Sequence, residues 1–408
     1  MSSSGRVRRR IAFLDNFPRL GGAERSLVDL LSHIDRDRFE PCLVTAEAGP
    51  LSREVARLDV PVHFCPLPSA LSGMSRTRLG PAALCRTPLP VIDYLGRLAR
   101  LLRTLRPDIT CSNSFKDHVA SGLLAAVRRR NVLWHFRDVV ESRALRNFME
   151  TVALVSPVHL VTNSNFTASQ FPRLSRRPGK TTVVYNGMDL AEIDRRRDEP
   201  PDGELPATAP GDLVVGIVGA LCPEKGQELL VRALAAVADE TNVSCWIVGE
   251  EIYETARHAR GYRDRLETIA RELGVRERVR FLGWRRDVIS VVARMDVLVC
   301  ASDPARFVET FGRTVTEAMA CGRAVVSVAR GGPLETVVDG ETGLLFDEYT
   351  PDALAGAILT LARDRERMER MGRAGRERVE RLFTIETYVR GIEACIDRVL
   401  ADRTGGDA

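Results

Sequence analysis

Short apolar runs alternate with amphipathic stretches along almost the whole chain. Runs such as residues 10–16, 39–45 and 108–112 are apolar at their centres, which is typical of buried parallel strands. Residues 91–105 instead place leucines at helical spacing on one face. Strands that alternate with helices predict an α/β protein whose sheets are mostly parallel and doubly wound.

A second series of strands and helices begins near Leu213, after a stretch of prolines and charged residues that shows no periodicity. Because 408 residues exceed the size of one ordinary core, two domains are expected. We predict a Rossmann-like domain over residues 1–193, a linker over 194–212, a second Rossmann-like domain over 213–380, and a C-terminal helix and tail over 381–408. Terminal helices are predicted over residues 353–362, 365–380 and 385–400.

The composition, with 44% hydrophobic and 28% charged residues, predicts a soluble globular protein. No apolar run reaches the roughly 18 residues that a membrane-spanning helix needs. The nine cysteines occur singly, without a Cys-x-x-Cys pair, so neither a disulfide framework nor a zinc site is indicated. We expect a cytoplasmic location.

The net charge of +4 is divided unevenly along the chain. Residues 1–190 carry 28 Lys and Arg against 16 Asp and Glu, whereas the remaining residues carry 31 against 39. A basic first half predicts an anionic partner, such as the inner face of a membrane or a polyanionic acceptor; solvated arginines are the alternative. No nucleic-acid partner is predicted. The candidate membrane contacts are Arg6 to Arg10, Arg76, Arg78 and Arg128 to Arg130.

Glycine-rich and polar turns follow several predicted strands. In the first half, Gly21-Gly22-Ala23-Glu24-Arg25 opens a helix directly after the first strand, and His135 and Arg137 stand at the end of a later strand. Such strand ends are where an α/β domain places ligands. Neither half contains Gly-x-Gly-x-x-Gly, so a dinucleotide-dependent dehydrogenase is disfavoured.

In the second half, Gly219 ends a strand, and Lys225 stands just before a predicted helix. A lysine beside a helix N-terminus can neutralise phosphate, although this is not the Walker A order. Glu309 and Glu317 stand eight residues apart, the first on a predicted loop and the second on a helix that ends near Gly322. These acids could accept hydrogen bonds from sugar hydroxyls; two solvated acids on a surface helix are the alternative.

Asp35-Arg36-Asp37 has the spacing of an Asp-x-Asp metal site. It lies between a predicted helix and a predicted strand, with arginines around it, so we interpret it as a solvated turn. We predict neither a metal site nor a cofactor.

Together these segments resemble the GT4 family of retaining, nucleotide-sugar-dependent glycosyltransferases. That family has the GT-B fold, in which two Rossmann-like domains face each other across a cleft and the C-terminal helices can cross back to the first domain. Glu309 to Glu317 matches the family's Glu-x7-Glu signature, and the resemblance covers residues 10–400 in the expected order. The other matching segments begin at Gly21, Asn186, Pro223, Phe281, Gly331 and Asp339.

The resemblance implies a role for each matching residue. Lys225 would bind the donor diphosphate, Glu317 the ribose and Glu309 the sugar hydroxyls. It implies catalytic positions at His135 and Glu309, although a satisfied histidine at a strand end is the alternative for His135. The implied donor-binding residues are Gly22, Gly219, Lys225, Thr310, Phe311, Gly312, Arg313 and Glu317, and the acceptor-side candidates are Gly21, Glu24, Arg25 and Arg137.

The implied reaction moves a sugar from a nucleotide-sugar to an unidentified glycan, lipid-linked or natural-product acceptor, with retention and without a metal. One position departs from the family, which usually has an arginine where this chain has Ala220. Arg137, Arg306 and Arg313 are candidates to compensate. The alternatives are another GT-B nucleotide-sugar enzyme, such as an epimerase or a sugar synthase, and a nucleotide-sugar-binding protein with weak catalysis.

Overall fold

The computed structural model describes residues 8–17, 20–69, 88–128, 130–209, 211–251 and 260–404. Among the predicted membrane contacts, Arg6, Val7, Arg76, Arg78 and Arg129 lie outside the described residues. The chain forms two compact units, one comprising Met1–Gly187 with Ile385–Ala408 and the other comprising Met188–Thr384. Each unit contains one parallel sheet, so the predicted α/β fold class is confirmed.

The first unit is built on a seven-stranded sheet in the order β3-β2-β1-β4-β5-β6-β7. Its strands are β1 (Arg9–Leu14), β2 (Phe39–Thr45), β3 (Val62–Phe64), β4 (Ile109–Ser112), β5 (Val132–Phe136), β6 (Val158–Thr162) and β7 (Thr181–Val183). The connecting helices are α1 (Gly22–His33), α2 (Pro50–Ala56), α3 (Pro88–Leu105), α4 (Phe115–Arg128), α5 (Arg143–Val155), α6 (Asn165–Ser169) and α7 (Pro172–Ser175). β4, β5 and β6 are buried along their whole length, as expected for strands covered by helices on both faces.

The second unit is built on a six-stranded sheet in the order β10-β9-β8-β11-β12-β13. Its helices are α8 (Leu190–Asp198), α9 (Gln227–Ala238), α10 (Tyr262–Glu272), α11 (Val288–Val292), α12 (Arg313–Ala320), α13 (Pro333–Thr336), α14 (Pro351–Ala362) and α15 (Arg365–Leu382). The strands are β8 (Leu213–Val218), β9 (Val243–Val248), β10 (Val279–Gly283), β11 (Val297–Cys300), β12 (Ala324–Val328) and β13 (Leu344–Phe346). In each sheet the strand order reverses beside the first strand, β1 or β8, and such a switch point opens a ligand crevice at the carboxyl ends.

The last helix, α16 (Ile385–Thr404), belongs to the first unit. Its buried face, which includes Tyr388 and Ile392, packs in the same apolar core as Leu27 and Leu30 of α1. An ion pair of 2.8 Å between Arg38 and Glu393 adds a polar contact at the edge of that core. The last helix therefore does cross back, as the resemblance implied.

The start of the second unit differs from the predicted boundaries at residues 193 and 194. The structure divides the chain after Gly187, and α8 contains the first residues of the expected linker. Asp189 caps this helix by accepting a hydrogen bond from the backbone N–H of Glu192. Arg376 then holds Asp194 through two bonds of 2.7 and 2.8 Å. This helix is held by charged contacts and buries only Ile193. Its sequence therefore has no apolar stripe from which the helix could have been predicted.

Candidate functional site

The carboxyl ends of β8 and β9 approach each other closely. Gly249, which follows β9, has a φ of +139°, and a Cβ added there would lie 1.9 Å from the carbonyl oxygen of Gly219. The N–H of Gly219 donates to Val248 at 2.9 Å, which fixes the turn that leaves β8. A side chain at residue 249 would therefore push the Gly219 turn away from the sheet.

Lys225 and Glu309 form an ion pair at this edge. The Nζ atom of Lys225 lies 2.6 Å from Oε1 of Glu309, and the hydroxyl of Ser302 donates to the same oxygen at 2.9 Å. The Lys225 ammonium also lies 4.3 Å from the ring centre of Phe307. Burial by itself lowers the pKa of Lys225, but the attraction of the Glu309 carboxylate outweighs it and raises that pKa overall. The lysine is therefore a fixed positive charge beside a carboxylate.

Two glycines support the loop that leads from Glu309 into α12. The N–H of Gly332 donates to the carbonyl of Glu309 at 2.7 Å. A Cβ on Gly332 would come within 2.4 Å of both the Cα and the N of Phe311, whose buried ring meets the Phe383 ring edge-on at 5.4 Å. The sequence analysis matched the segment that begins at Gly331 to the family but gave no physical reason for its two glycines. In the structure, both glycines pack so closely against the backbone of this loop that no side chain fits.

Helix α12 begins at Arg313, and the preceding Gly312 caps it with a φ of +85°. On its first turn, Nε of Arg313 lies 2.8 Å from Oε1 of Glu317, one helical turn further on. Both side chains are largely buried, at 24% and 14% exposed. Thr310, Phe311 and Gly312 thus lead from Glu309, the partner of Lys225, into the N-terminus of α12.

The position of the family arginine is Ala220, whose carbonyl accepts a hydrogen bond from Gln227 at 2.8 Å. Each cation that could compensate already has a partner. Arg306 pairs with Asp303 at 3.1 Å and Arg313 with Glu317, while Arg137, in the first unit, donates to Asn113. Lys225 is the residue predicted to bind the donor diphosphate. Its observed partner, Glu309, is the residue predicted to contact the sugar hydroxyls.

In the first unit, His135 is the fourth residue of β5 and is 3% exposed. Its Nε2 atom is buried, and among the described residues it has no hydrogen-bond partner. Burial lowers the pKa of His135 well below its usual value, and the positive charge of Arg137 lowers it further. The imidazole is therefore neutral at physiological pH, and its Nε2 is left without a partner among the described residues. Nε2 of His118 is also unsatisfied, but that ring packs beside Phe136 with centroids 5.0 Å apart.

A polar chain that the sequence analysis missed connects the ends of three neighbouring strands. Asp15 follows β1 and is fully buried; its Oδ2 accepts a hydrogen bond of 2.5 Å from the side chain of Asn113, which follows β4. The amide oxygen of Asn113 accepts a hydrogen bond from Arg137, which follows β5. The sequence did contain one signal for these residues, because each of them directly follows a strand. The chain fixes the Arg137 guanidinium on the carboxyl edge of the sheet.

The glycine-rich turn before α1 is built around Glu24. The N–H of Gly21 donates to Oε2 of Glu24 at 2.9 Å, and Glu24 is 6% exposed. Among the described residues, no atom lies within 4 Å of a Cβ built on Gly22, so they leave space beside that backbone. Arg25 is exposed. Gly21, Gly22 and Glu24 therefore form one turn, in which Glu24 supports the loop from inside.

The pKa values of the buried carboxyl groups at this edge are raised toward neutral pH. Burial raises the pKa of Glu24 to about 8, and the charge of Asp15 adds to the shift. Burial likewise raises the pKa of Asp15 to about 7, with a contribution from Asp117, whose own pKa rises to about 6 for the same reason. The first unit is therefore expected to lose stability as these groups ionise.

Replacing Glu24 by glutamine is expected to flatten the alkaline side of the stability profile. With a pKa of about 8 in the fold and 4.5 in the unfolded chain, Glu24 binds more protons when folded. Its ionisation therefore destabilises the fold increasingly between pH 4.5 and 8. Urea unfolding, followed through the transition of the first unit, measures this effect. Between pH 5.5 and 8.5 the free energy of unfolding of wild type should fall by about 1–3 kcal/mol more than that of Glu24→Gln. Parallel profiles would contradict the buried, protonated state of Glu24.

The predicted turn at Asp35 and Asp37 is present, with the N–H of Asp37 donating to Oδ1 of Asp35. Within the described part of the chain, no group of three or more His, Cys, Asp or Glu residues could hold a metal ion. None of the described helices has both the length and the apolar character needed to cross a membrane.

Two family models divide the chain between them. "Glycosyltransferase Family 4" matches residues 20–192, and "Glycosyl transferases group 1" matches residues 206–378. The structure of Anabaena HepE in complex with UDP resembles this chain with a TM-score of 0.77 and 23% identity, over 95% of this chain and 99% of that one. The fold is that of the GT-B glycosyltransferases. The chain belongs to glycosyltransferase family 4.

Curated relatives include the D-inositol 3-phosphate glycosyltransferases of Corynebacterium glutamicum and Mycobacterium marinum. The first is 37% identical over 39% of this chain and 37% of its own length. The second is 30% identical over 64% of this chain and 54% of its own length. The chain thus matches about half the length, or less, of these relatives.

Proposed function

We propose that this protein is a metal-independent, retaining glycosyltransferase that moves a sugar from a nucleotide-sugar to an acceptor hydroxyl. The observation that carries the proposal is the Lys225 and Glu309 pair, 2.6 Å apart, beside the N-terminus of α12. HepE has been crystallised with UDP and with UDP-glucose, which supports a nucleotide-sugar donor here. The two curated relatives make a phosphorylated cyclitol a reasonable first acceptor to test.

The pair supplies the two contacts that donor cleavage needs. As the bond from C1 to the diphosphate oxygen breaks, negative charge develops on the leaving group, and the Lys225 ammonium and the α12 N-terminus stabilise it. On donor binding Lys225 turns from Glu309 to the diphosphate, and Glu309 accepts hydrogen bonds from the sugar hydroxyls. The acceptor oxygen attacks C1 on the same face, and its proton passes to the departing phosphate oxygen.

His135 and the acceptor-side residues supply neutral or fixed groups. A neutral His135 can exchange a hydrogen bond with a ligand hydroxyl without adding a positive charge. Arg137, held by Asn113, provides a fixed positive charge that suits an anionic acceptor. The space above Gly22 allows a ligand to approach the backbone.

A donor panel tests the proposal. The purified protein is incubated with UDP-, GDP- and ADP-sugars, with D-inositol 3-phosphate or a small-molecule cell extract, in EDTA, and products are identified by mass spectrometry. A glycosylated product with the donor's anomeric configuration by NMR supports the proposal. Inversion contradicts retention, and activity that requires added Mg²⁺ contradicts metal independence. Conversion of the donor sugar without transfer would identify an epimerase instead.

A nucleotide-sugar-binding protein with weak catalysis is the second candidate, and Ala220 is the observation that favours it. Restoring the cation is expected to strengthen donor binding: Ala220→Arg should lower the KM for the donor about 10- to 150-fold, because a hydrogen bond between charged groups contributes roughly 1.5–3 kcal/mol. Ala220→Gln, with similar length and no charge, serves as the control. Equal effects of both substitutions would show that charge at this position is unimportant.

We also propose that the protein works at the cytoplasmic side of a membrane, in peripheral contact with anionic lipid. The excess of basic residues over residues 1–190 supports this contact.

A further inference from the structure

A pocket of about 90 Å³ lies in the first unit, away from the residues described above. It is enclosed by the end of α3, the end of α4 and the starts of β4 and β5. It therefore opens at the amino edge of the sheet, whereas Asp15, Asn113 and Arg137 lie at the carboxyl edge. Its wall is apolar and includes Leu102, Leu124 and Val132.

Three arginines surround this apolar wall: Arg103 on α3, Arg128 at the end of α4, and Arg130 before β5. Arg103 and Arg128 are exposed, and Arg130 is half-buried. Across the described ranges, none of the three guanidinium groups has a carboxylate within ion-pair distance. The acids of α3 and α4, Asp93 and Asp117, stand near the opposite ends of those helices. Three uncompensated positive charges thus border an apolar pocket.

We propose that this pocket is a binding site for an anionic phospholipid, with part of an acyl chain in the pocket and the phosphate on the arginines. A phosphate alone would use the guanidinium groups but would leave the apolar wall exposed. A neutral lipid would use the wall but not the charges. A membrane lipid uses both, and the basic first half of the chain favours an anionic bilayer. The inference rests on the proposed membrane contact and is independent of sugar transfer.

Charge reversal at the rim tests the headgroup contact. Because each arginine near an anionic surface contributes about fivefold to binding, R103E/R128E/R130E should bind vesicles of 30% phosphatidylglycerol at least about tenfold more weakly than wild type. The control R53E/R143E/R146E makes the same charge change on α2 and the first turn of α5, and should lose less than about threefold. Equal losses would indicate long-range attraction and overturn the site. Turnover of water-soluble donor and acceptor should be unchanged in both variants.

Trp134 reports on the acyl chain, because its Nε1 donates at 3.2 Å to Ser121, which lines the pocket. In a Trp284→Phe background, which removes the exposed tryptophan of the second unit, phosphatidylglycerol with brominated chains should quench Trp134. Ala99→Phe fills the pocket and should remove at least half of this quenching while vesicle binding falls less than threefold; Ala99→Leu replaces it if the phenylalanine variant unfolds.

Three results would overturn the proposal. Vesicle binding without quenching of Trp134 would show a surface contact that does not use the pocket. Loss of vesicle binding in millimolar inorganic phosphate at matched ionic strength, again without quenching, would identify a site for free phosphate. Quenching that persists in the pocket-filling variant would likewise exclude the pocket.

Discussion

Replacing Lys225 by alanine is expected to lower kcat/KM about 100- to 1000-fold, the usual loss when one fixed group that stabilises a leaving charge is removed. The structure offers few substitutes, because Ala220 stands at the family's arginine position and both Arg306 and Arg313 are already paired. Initial rates with the donor found by the panel would measure the loss. Arg232→Ala, which removes an exposed arginine paired with Glu228 on α9, is the control and should stay within about twofold of wild type.

The double variant Lys225→Ala/Glu309→Gln separates catalysis from folding. If the pair merely stabilises the loop, the two substitutions should be strongly coupled in thermal unfolding but not in turnover. If both residues act on the donor, each single variant should lose activity even where the fold is intact. Wild-type kcat/KM in Lys225→Ala would contradict the assigned role of the lysine and remove the main support for the proposed function.

The fold and the donor-side candidates could be predicted because their signals are local in sequence. Apolar runs, glycines at strand ends and a charged residue before a helix each lie within a few residues, and Lys225 and Glu309 were found in this way. Their contact joins the ends of β8 and β11, which are neighbours in the sheet. The parallel fold class was confirmed, whereas the catalytic and binding roles of these residues stay predictions.

The missed features depend on contacts that are distant in sequence. Asp15 meets Asn113, 98 residues away, because β4 lies beside β1, and no local pattern gives that strand order. In α8 the decisive contact is the pair of Asp194 and Arg376, which are separated by 182 residues. The burial of Glu24 could not be predicted from the sequence either. A Glu three residues after a glycine is ordinarily a solvated side chain on the first turn of a helix.

Replacing Gly332 by alanine is expected to lower both stability and activity, although this residue carries no functional side chain. The added Cβ would lie 2.4 Å from the backbone of Phe311, so the loop from Glu309 to Gly312 must move. Overpacking of this kind costs about 1–3 kcal/mol. A shift of about 1 Å in a positioning group can reduce turnover roughly 100-fold. Thermal unfolding and kcat/KM would measure the two effects.

Gly356→Ala is the matched control, because Gly356 lies inside α14 and a Cβ there would meet no described atom within 4 Å. That substitution should stabilise the second unit by about 0.5–1 kcal/mol and leave turnover unchanged. If Gly332→Ala instead matches wild type in both measurements, the loop tolerates the displacement. Helix α12 and Glu309 would then be positioned by Phe311 and its contact with Phe383, and the close approach at Gly332 would be a consequence of the fold with no bearing on catalysis.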